Sequence, residues 1–291
     1  MKAYYSDGRG RYGTGEDYEY FYKYDDEDGK PEIHTSSDGL WTYDFNPPGN
    51  CPGGIEILRY NGCETNIQIP GVIDGNNVVS LDSTFDGFYE LESVIVPEGV
   101  TCITGAFYGC ENLKKVTLPQ SLKSIVYAFN CCFSLGNIDI PPNVTDFSNA
   151  FEGTKIQSFA FPQGTDTISN SFSASGYIKK VFIPKSVMYT DEAFCDCENL
   201  SEVIIEDGVS NIDDYTFYHC TSLKELYIPE SVKTIGRLSV GYMEIREYTD
   251  ARKTGFRIKG ESIVPGFKIK GVKGSGAEWY AKEHKIPFIL V

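Results

Sequence analysis

Seven phenylalanines set the frame of this 291-residue chain. Phe85, Phe107, Phe129, Phe151, Phe172, Phe194 and Phe217 are spaced by 22, 22, 22, 21, 22 and 23 residues. Three further apolar columns keep the same beat, beginning at Leu91, Val94 and Val96 and ending at Leu223, Leu226 and Ile228. Proline follows the last column in every unit except one, where Glu206 takes its place. A unit in the low twenties cannot bury its own apolar side, but stacked units share a continuous core. The period predicts a mainly β repeat solenoid with these columns pointing inward.

The pattern inside each unit says how the chain runs. The alternation ending Leu91-x-x-Val94-x-Val96 fits a short strand. The proline after it cannot donate to a ladder, so it ends the strand. A second apolar pair (Val100 and Ile103, then Leu122 and Ile125) predicts another extended segment on the return side. The L-x-x-V-x-I-P pattern with a downstream A-F-x-x-C (Ala106 to Cys110, Ala128 to Cys132, Ala193 to Cys197) resembles the BspA-type leucine-rich repeat over residues 53–235. Ile69-Pro70 with Asp74-Gly75, and Gly274 to Lys282, resemble the two ends of that family's domains. The resemblance implies a right-handed coil of short parallel strands, closed by an N-terminal β cap and a C-terminal cap containing one helix. It also implies leucine-rich surface proteins that engage host or matrix proteins. Thr154 and Ser175 depart from the Cys position, Thr190 departs from the Ile before Phe194, and the beat is lost after Ile235.

The expected organisation is an acidic Tyr/Gly-rich leader at 1–40, an N-terminal cap with a degenerate first repeat at 41–84, repeats at 85–235 and a C-terminal cap at 236–291. In the leader, Tyr18, Tyr20, Tyr22 and Tyr24 have period two, which predicts a short strand or hairpin with a tyrosine face near the first rung. Near the other end, Ser275 and Glu278 form a capping box that opens a helix from Gly276 to about His284. Ala277, Trp279, Tyr280 and Ala281 are expected to lie over the last rung.

Charge narrows the function. Residues 1–40 hold 5 basic and 10 acidic side chains, 41–235 hold 10 and 25, and 236–291 hold 11 and 6, giving −5, −15 and +5. An acidic body argues against nucleic acid, which needs clustered Lys and Arg. No apolar run is long enough to span a membrane. Met1 to Gly10 lacks the apolar core of a signal peptide, which fits a cytoplasmic chain or one cut to its mature form. The resemblance favours the cell surface or the extracellular space. Nine cysteines, four of them in one repeat column (Cys110, Cys132, Cys197 and Cys220), read as reduced packing residues.

Chemistry-bearing motifs are few. Gly8 to Gly13 matches G-x-G-x-x-G without the flanking strand and helix that a dinucleotide needs. Asp26, Asp28 and Gly29 lack the remaining ligands of a calcium loop. His34, His219 and His284 lie far apart, so neither a zinc site nor a catalytic triad is indicated, and His219 reads as an outer turn residue. Cys131 and Cys195 read as turn residues beside a buried neighbour. No catalytic, cofactor or metal residues are assigned.

The informative positions are the outward ones between the two strand columns: Ile95, Thr117, Asp139, Ala160, Phe182, Ile204 and Tyr227. They turn apolar and aromatic over the last units while the core columns stay uniform. Ile95, Thr117, Asp139, Phe182, Ile204 and Tyr227 are the candidate partner-binding residues, because adjacent exposed apolar groups mark protein contacts. The reading is a non-enzymatic module that binds a host or matrix protein. The alternative is the recognition or scaffold part of a larger protein whose enzymatic or anchoring domain lies outside this chain.

Overall fold

The structure is a computed structural model that describes residues 4–6, 12–14, 33–45, 53–248 and 256–291. The expected strand at Tyr18–Tyr24 and the two glycine-containing motifs of the leader lie in large part outside these residues. At the start, β1 (Tyr4–Ser6) pairs antiparallel with β2 (Tyr12–Thr14). A five-stranded sheet follows, built from β3 (His34–Thr35), β4 (Trp41–Asp44), β5 (Ile55–Tyr60), β7 (Val72–Ile73) and β8 (Asn76–Leu81), with β6 (Asn66–Gln68) lying outside it. Asp74 and Gly75 take positive φ at the tight turn between β7 and β8.

The repeats form a mainly β solenoid of about 10 turns. One side carries β9 (Ser93–Ile95), β10 (Lys115–Thr117), β11 (Ser158–Ala160), β12 (Lys180–Ile183), β13 (Glu202–Ile205) and β15 (Glu225–Tyr227). The return side carries β14 (Asn211–Ile212) and β16 (Thr234–Ile235), and single parallel bridges run from Ser80 through Cys102, Ser124, Asp146 and Thr167 to Tyr189. The expected second extended segment is therefore present, mostly as one bridge per rung. After the repeats come a hairpin, β17 (Tyr242–Tyr248) with β18 (Phe256–Ile263), then β19 (Lys268–Gly271), α1 (Gly276–Glu283) and β20 (Phe288–Leu290).

The phenylalanine column is one continuous stack. Neighbouring ring centroids from Phe85 to Phe217 lie 5.1 to 6.0 Å apart, and five of the six pairs are within 13° of parallel. Trp41 and Tyr60 close it at the N-terminal side against Phe85. The exception, Phe151 with Phe172 at 29°, sits where Phe147, Phe159 and Phe161 replace aliphatic core residues.

Two features correct the sequence reading of the repeat. The expected strand at Asn137–Asp139 does not form, and the sheet splits between β10 and β11. Gly136, Asn137 and Asp139 disfavour strand, while the adjoining core holds the bulky Phe159 and Phe161. Second, the Cys column does more than pack. Cys110, Cys132, Cys197 and Cys220 donate their thiol hydrogens to the carbonyls of Phe85, Phe107, Phe172 and Phe194 on the preceding rung. Ser175 does the same to Phe151. Each thiol is therefore a second donor to a carbonyl that already accepts a main-chain N–H, and burial pushes the Cys110 and Cys197 thiols far above their ordinary range. All eight described cysteines are free. Cys132→Ala is expected to destabilise by about 1–2 kcal/mol, from the lost thiol hydrogen bond and the buried volume of the sulfur, since Phe107 O keeps the Cys110 N–H at 3.1 Å, and Cys132→Ser by less. Urea denaturation of the two variants checks this; equal losses would show that only volume matters at the site.

The other departures also have partners. Thr190 is buried, and Asp213 of the next unit accepts from its N–H at 2.7 Å while donating back to its hydroxyl at 2.8 Å. Glu206 supplies the N–H that proline lacks, donating to Ile183 O at 2.9 Å, and β12 and β13 pair over four residues each. Its carboxylate caps the Lys185 N–H at 2.8 Å, which holds its pKa below the ordinary value.

In α1, Ser275 caps the first turn by accepting from the Glu278 N–H, as the capping box predicts. Ala277, Tyr280 and Ala281 are buried, whereas Trp279 is 65% exposed, against expectation. The three buried residues share one face at helical spacing, and position 279 falls off it.

Candidate functional site

The outward strand column was the place to look for a partner, and its geometry follows from the pleat. Strand residues alternate between faces, so Val94, Val181 and Leu226 enter the core while their successors face out. Ile95, Ile204 and Tyr227 are 46%, 42% and 43% exposed, Thr117, Asp139 and Ala160 are exposed, and Phe182 is half-buried. The structure brings some of the candidates together and separates others. Ile95 lies beside Thr117 in the parallel register of β9 and β10. Phe182 lies between Ala160 and Ile204 across β11, β12 and β13. Tyr227 faces out from β15, which packs beside β13 without a ladder and pairs instead with β19, opposite Lys270. Asp139 sits in the gap between the two sheets.

That gap forms a shallow groove of about 260 Å³ lined by Ile138, Asp139, Ile140, Ser158, Phe159, Ala160 and Pro162. Along the flank, Lys180 pairs with Glu202 at 2.6 Å and Lys270 with Glu225 at 2.7 Å. Charges beside the apolar strip thus neutralise one another within the protein. The sequence held both pairs, but only the cross-rung register puts them in contact.

A second cluster was missed. His219 is the turn residue expected, with φ of 58°, but it is buried rather than outward, because the β17–β18 hairpin folds over its corner. Its Nδ1 lies 2.6 Å from Asp196 Oδ1 and 2.8 Å from Arg246 Nη2. Arg246 of β17 reaches Glu244 at 2.7 Å and Asp196 and Glu198 at 3.3 Å each. Burial works against its charge, but these carboxylates outweigh it and hold the guanidinium pKa above its ordinary value. Burial, with Glu244, Glu261 and Asp196 nearby, also pushes the Tyr218 hydroxyl up. Among the described residues no hydroxyl or thiol bonds to the His219 ring, so the cluster lacks a nucleophile and serves to tie the hairpin to the coil. Cys195 and Cys131 are both turn residues as read, Cys195 buried and Cys131 left-handed.

Among the described residues there is no group of three or more His, Cys, Asp or Glu that could hold a metal, and no helix is long and apolar enough to cross a membrane. What remains is an extended outer face with an apolar strip on it.

The comparisons agree with this architecture. A leucine rich cell surface protein of Faecalibacterium prausnitzii is 24% identical over 72% of this chain and 73% of its own, with a TM-score of 0.52. A leucine-rich repeat protein of Bacteroides ovatus is 19% identical over 91% of this chain and 76% of its own, with a TM-score of 0.57. At these identities the likeness is one of fold. No curated protein matches the sequence. The family described as "BspA type Leucine rich repeat region" matches residues 81–191 and 147–253, in six copies. With more than half of its length matched and the rungs laid out as that repeat requires, the chain belongs to the BspA-type leucine-rich repeat family.

Proposed function

We propose that this chain is a non-enzymatic protein-binding module of a bacterial cell-surface or secreted protein, acting in adhesion or host interaction through the outward strand column. The observation that carries the reading is the adjacency of Phe182 and Ile204 on one sheet face, with Tyr227 facing out from the neighbouring strand and ion-paired residues flanking them. Leucine-rich repeat proteins generally bind proteins, and the F. prausnitzii neighbour is a cell surface protein, which supports the location. Solenoids of this kind engage partners along an extended face. A half-buried Phe182 beside the exposed Ile204 supplies the apolar anchor that carries most of an interface's affinity.

The test is a binding screen against host surface and matrix proteins, followed by Phe182→Asp and Tyr227→Asp. Each is expected to weaken a true partner by about 2 kcal/mol or more, roughly thirtyfold or greater in Kd. Circular dichroism should show an unchanged fold for Tyr227→Asp. A partner whose affinity neither change moves would place the binding face elsewhere.

A further inference from the structure

Among the described residues, one strand edge is left without a neighbour. β20 is the outermost strand of the β15–β19–β20 sheet. Its pairing with β19, through Ile269 N–H to Pro287 O at 2.9 Å and Val291 N–H to Gly271 O at 3.1 Å, turns Ile289 toward β19. The main-chain groups of Phe288 and Leu290 therefore point the other way, and no described strand meets them. Leu290 and Val291 are 61% and 62% exposed, and Trp279 stands out from the adjoining helix. An open strand edge with apolar side chains is a template for another extended segment. This end of the protein is also basic: residues 268–291 hold five lysines and two glutamates.

The same chain contains a segment with the matching chemistry. Residues 16–28 hold seven carboxylates and one lysine, and Tyr18, Tyr20, Tyr22 and Tyr24 recur with the period of a strand. One face of such a strand is all tyrosine, which suits contact with Trp279 and Leu290. The other is acidic for the most part, which suits the lysines. The segment lies outside the described residues.

Reach decides which copy receives it. From Tyr24 to β3 there are about ten residues, at most roughly 35 Å of extended chain. The ends of a solenoid of about 10 turns are separated by some 45 Å at strand spacing. The segment falls short of its own β20. We propose that residues 17–25 of one copy add as a strand to the β20 edge of a second copy, giving head-to-tail association of the chain. Such a contact is heterologous and does not close on itself, so mass grows with concentration.

The experiment is sedimentation velocity of the full chain over a wide concentration range, at low and high salt, with three proteins: the parent, Tyr20→Pro with Tyr22→Pro, and Leu290→Pro. Proline removes a strand's donor, and at position 290 the lost N–H is the one facing outward. The parent is expected to rise from the mass of one chain to multiples of it, and to fall back as salt screens the charges. Both variants are expected to remain single at every concentration, with unchanged circular dichroism. Association in the parent should also move Trp279 emission to shorter wavelength, because that ring leaves water. A synthetic peptide of residues 15–28, added in excess, should dissociate the parent. A parent that stays single throughout, or variants that associate as the parent does, would overturn the proposal.

Discussion

Phe129→Ala is expected to destabilise the protein by about 3–5 kcal/mol. The ring is fully buried between Phe107 at 5.5 Å and Phe151 at 5.8 Å, nearly parallel to both. Deleting it removes the transfer free energy of a large aromatic and leaves a void within the stack. The void cannot close easily, because rung spacing is set by main-chain bonds on both sides: Phe107 N–H to Ala128 O at 3.0 Å and Phe129 N–H to Ala150 O at 3.0 Å. Collapse would require both neighbours to leave these ladders. An outward substitution such as Thr117→Ala should stay within about 0.5 kcal/mol. Urea denaturation of the two variants measures the contrast; a loss below about 1 kcal/mol for Phe129→Ala would mean that the core is fluid there.

The second large effect is a pH dependence carried by Glu56. This residue of β5 is only 4% exposed, and Ser80 donates to its carboxylate at 2.6 Å. Burial first, then the nearby carboxylates of Asp82 and Asp44, raise its pKa from 4.5 to about 7, although the Ser80 bond works the other way. A folded-state pKa above the unfolded one means that folding takes up a proton between these values. The stabilisation is complete below pH 4.5, is lost as pH rises through about 7, and does not return above it. The whole change is on the order of 3 kcal/mol. Glu56→Gln keeps an acceptor for Ser80 but carries no charge. It should match the parent at pH 5 and exceed it at pH 8, by about 2 kcal/mol. Denaturation midpoints at the two pH values decide this. A parent–variant difference that does not change with pH would remove Glu56 as the titrating group.

The architecture was readable because each core position is stated seven times over. Chance could place one Phe or Leu, but not four columns in step, and a repeat contacts only its neighbours. What was misread falls into two kinds. Some signals were present but outvoted: Gly136, Asn137 and Asp139 argued against a strand while Ile138 kept the column intact. Likewise, Thr154 and Ser175 beside the cysteines pointed to a hydrogen-bond donor, a property that hydroxyl and thiol share. Thr154 bonds to Phe151 O within its own unit, and Ser175 reaches that same carbonyl from the next rung.

Other features had no local signal. Arg246 meets Asp196 and His219 across 50 and 27 residues, after the period is lost, through a hairpin whose fold-back no spacing encodes. Glu56 lies in a strand whose alternation placed it opposite the core, yet neighbouring strands β4 and β8 carry Asp44 and Ser80 against it. The outward strip was legible as a list of positions, but its partition was not. Register alone puts Phe182 beside Ile204 and leaves Asp139 in the gap.

Everything rests on neighbouring rungs sharing one stacked core, and a pair of double-mutant cycles tests that most directly. Phe129→Ala combined with Phe151→Ala removes adjacent rings, whereas Phe107→Ala combined with Phe194→Ala removes rings four rungs apart. The predicted coupling is about 0.5–1.5 kcal/mol for the adjacent pair, and additivity within about 0.5 kcal/mol for the distant pair. Additivity in the adjacent pair, or equal coupling in both, would contradict a core built rung upon rung.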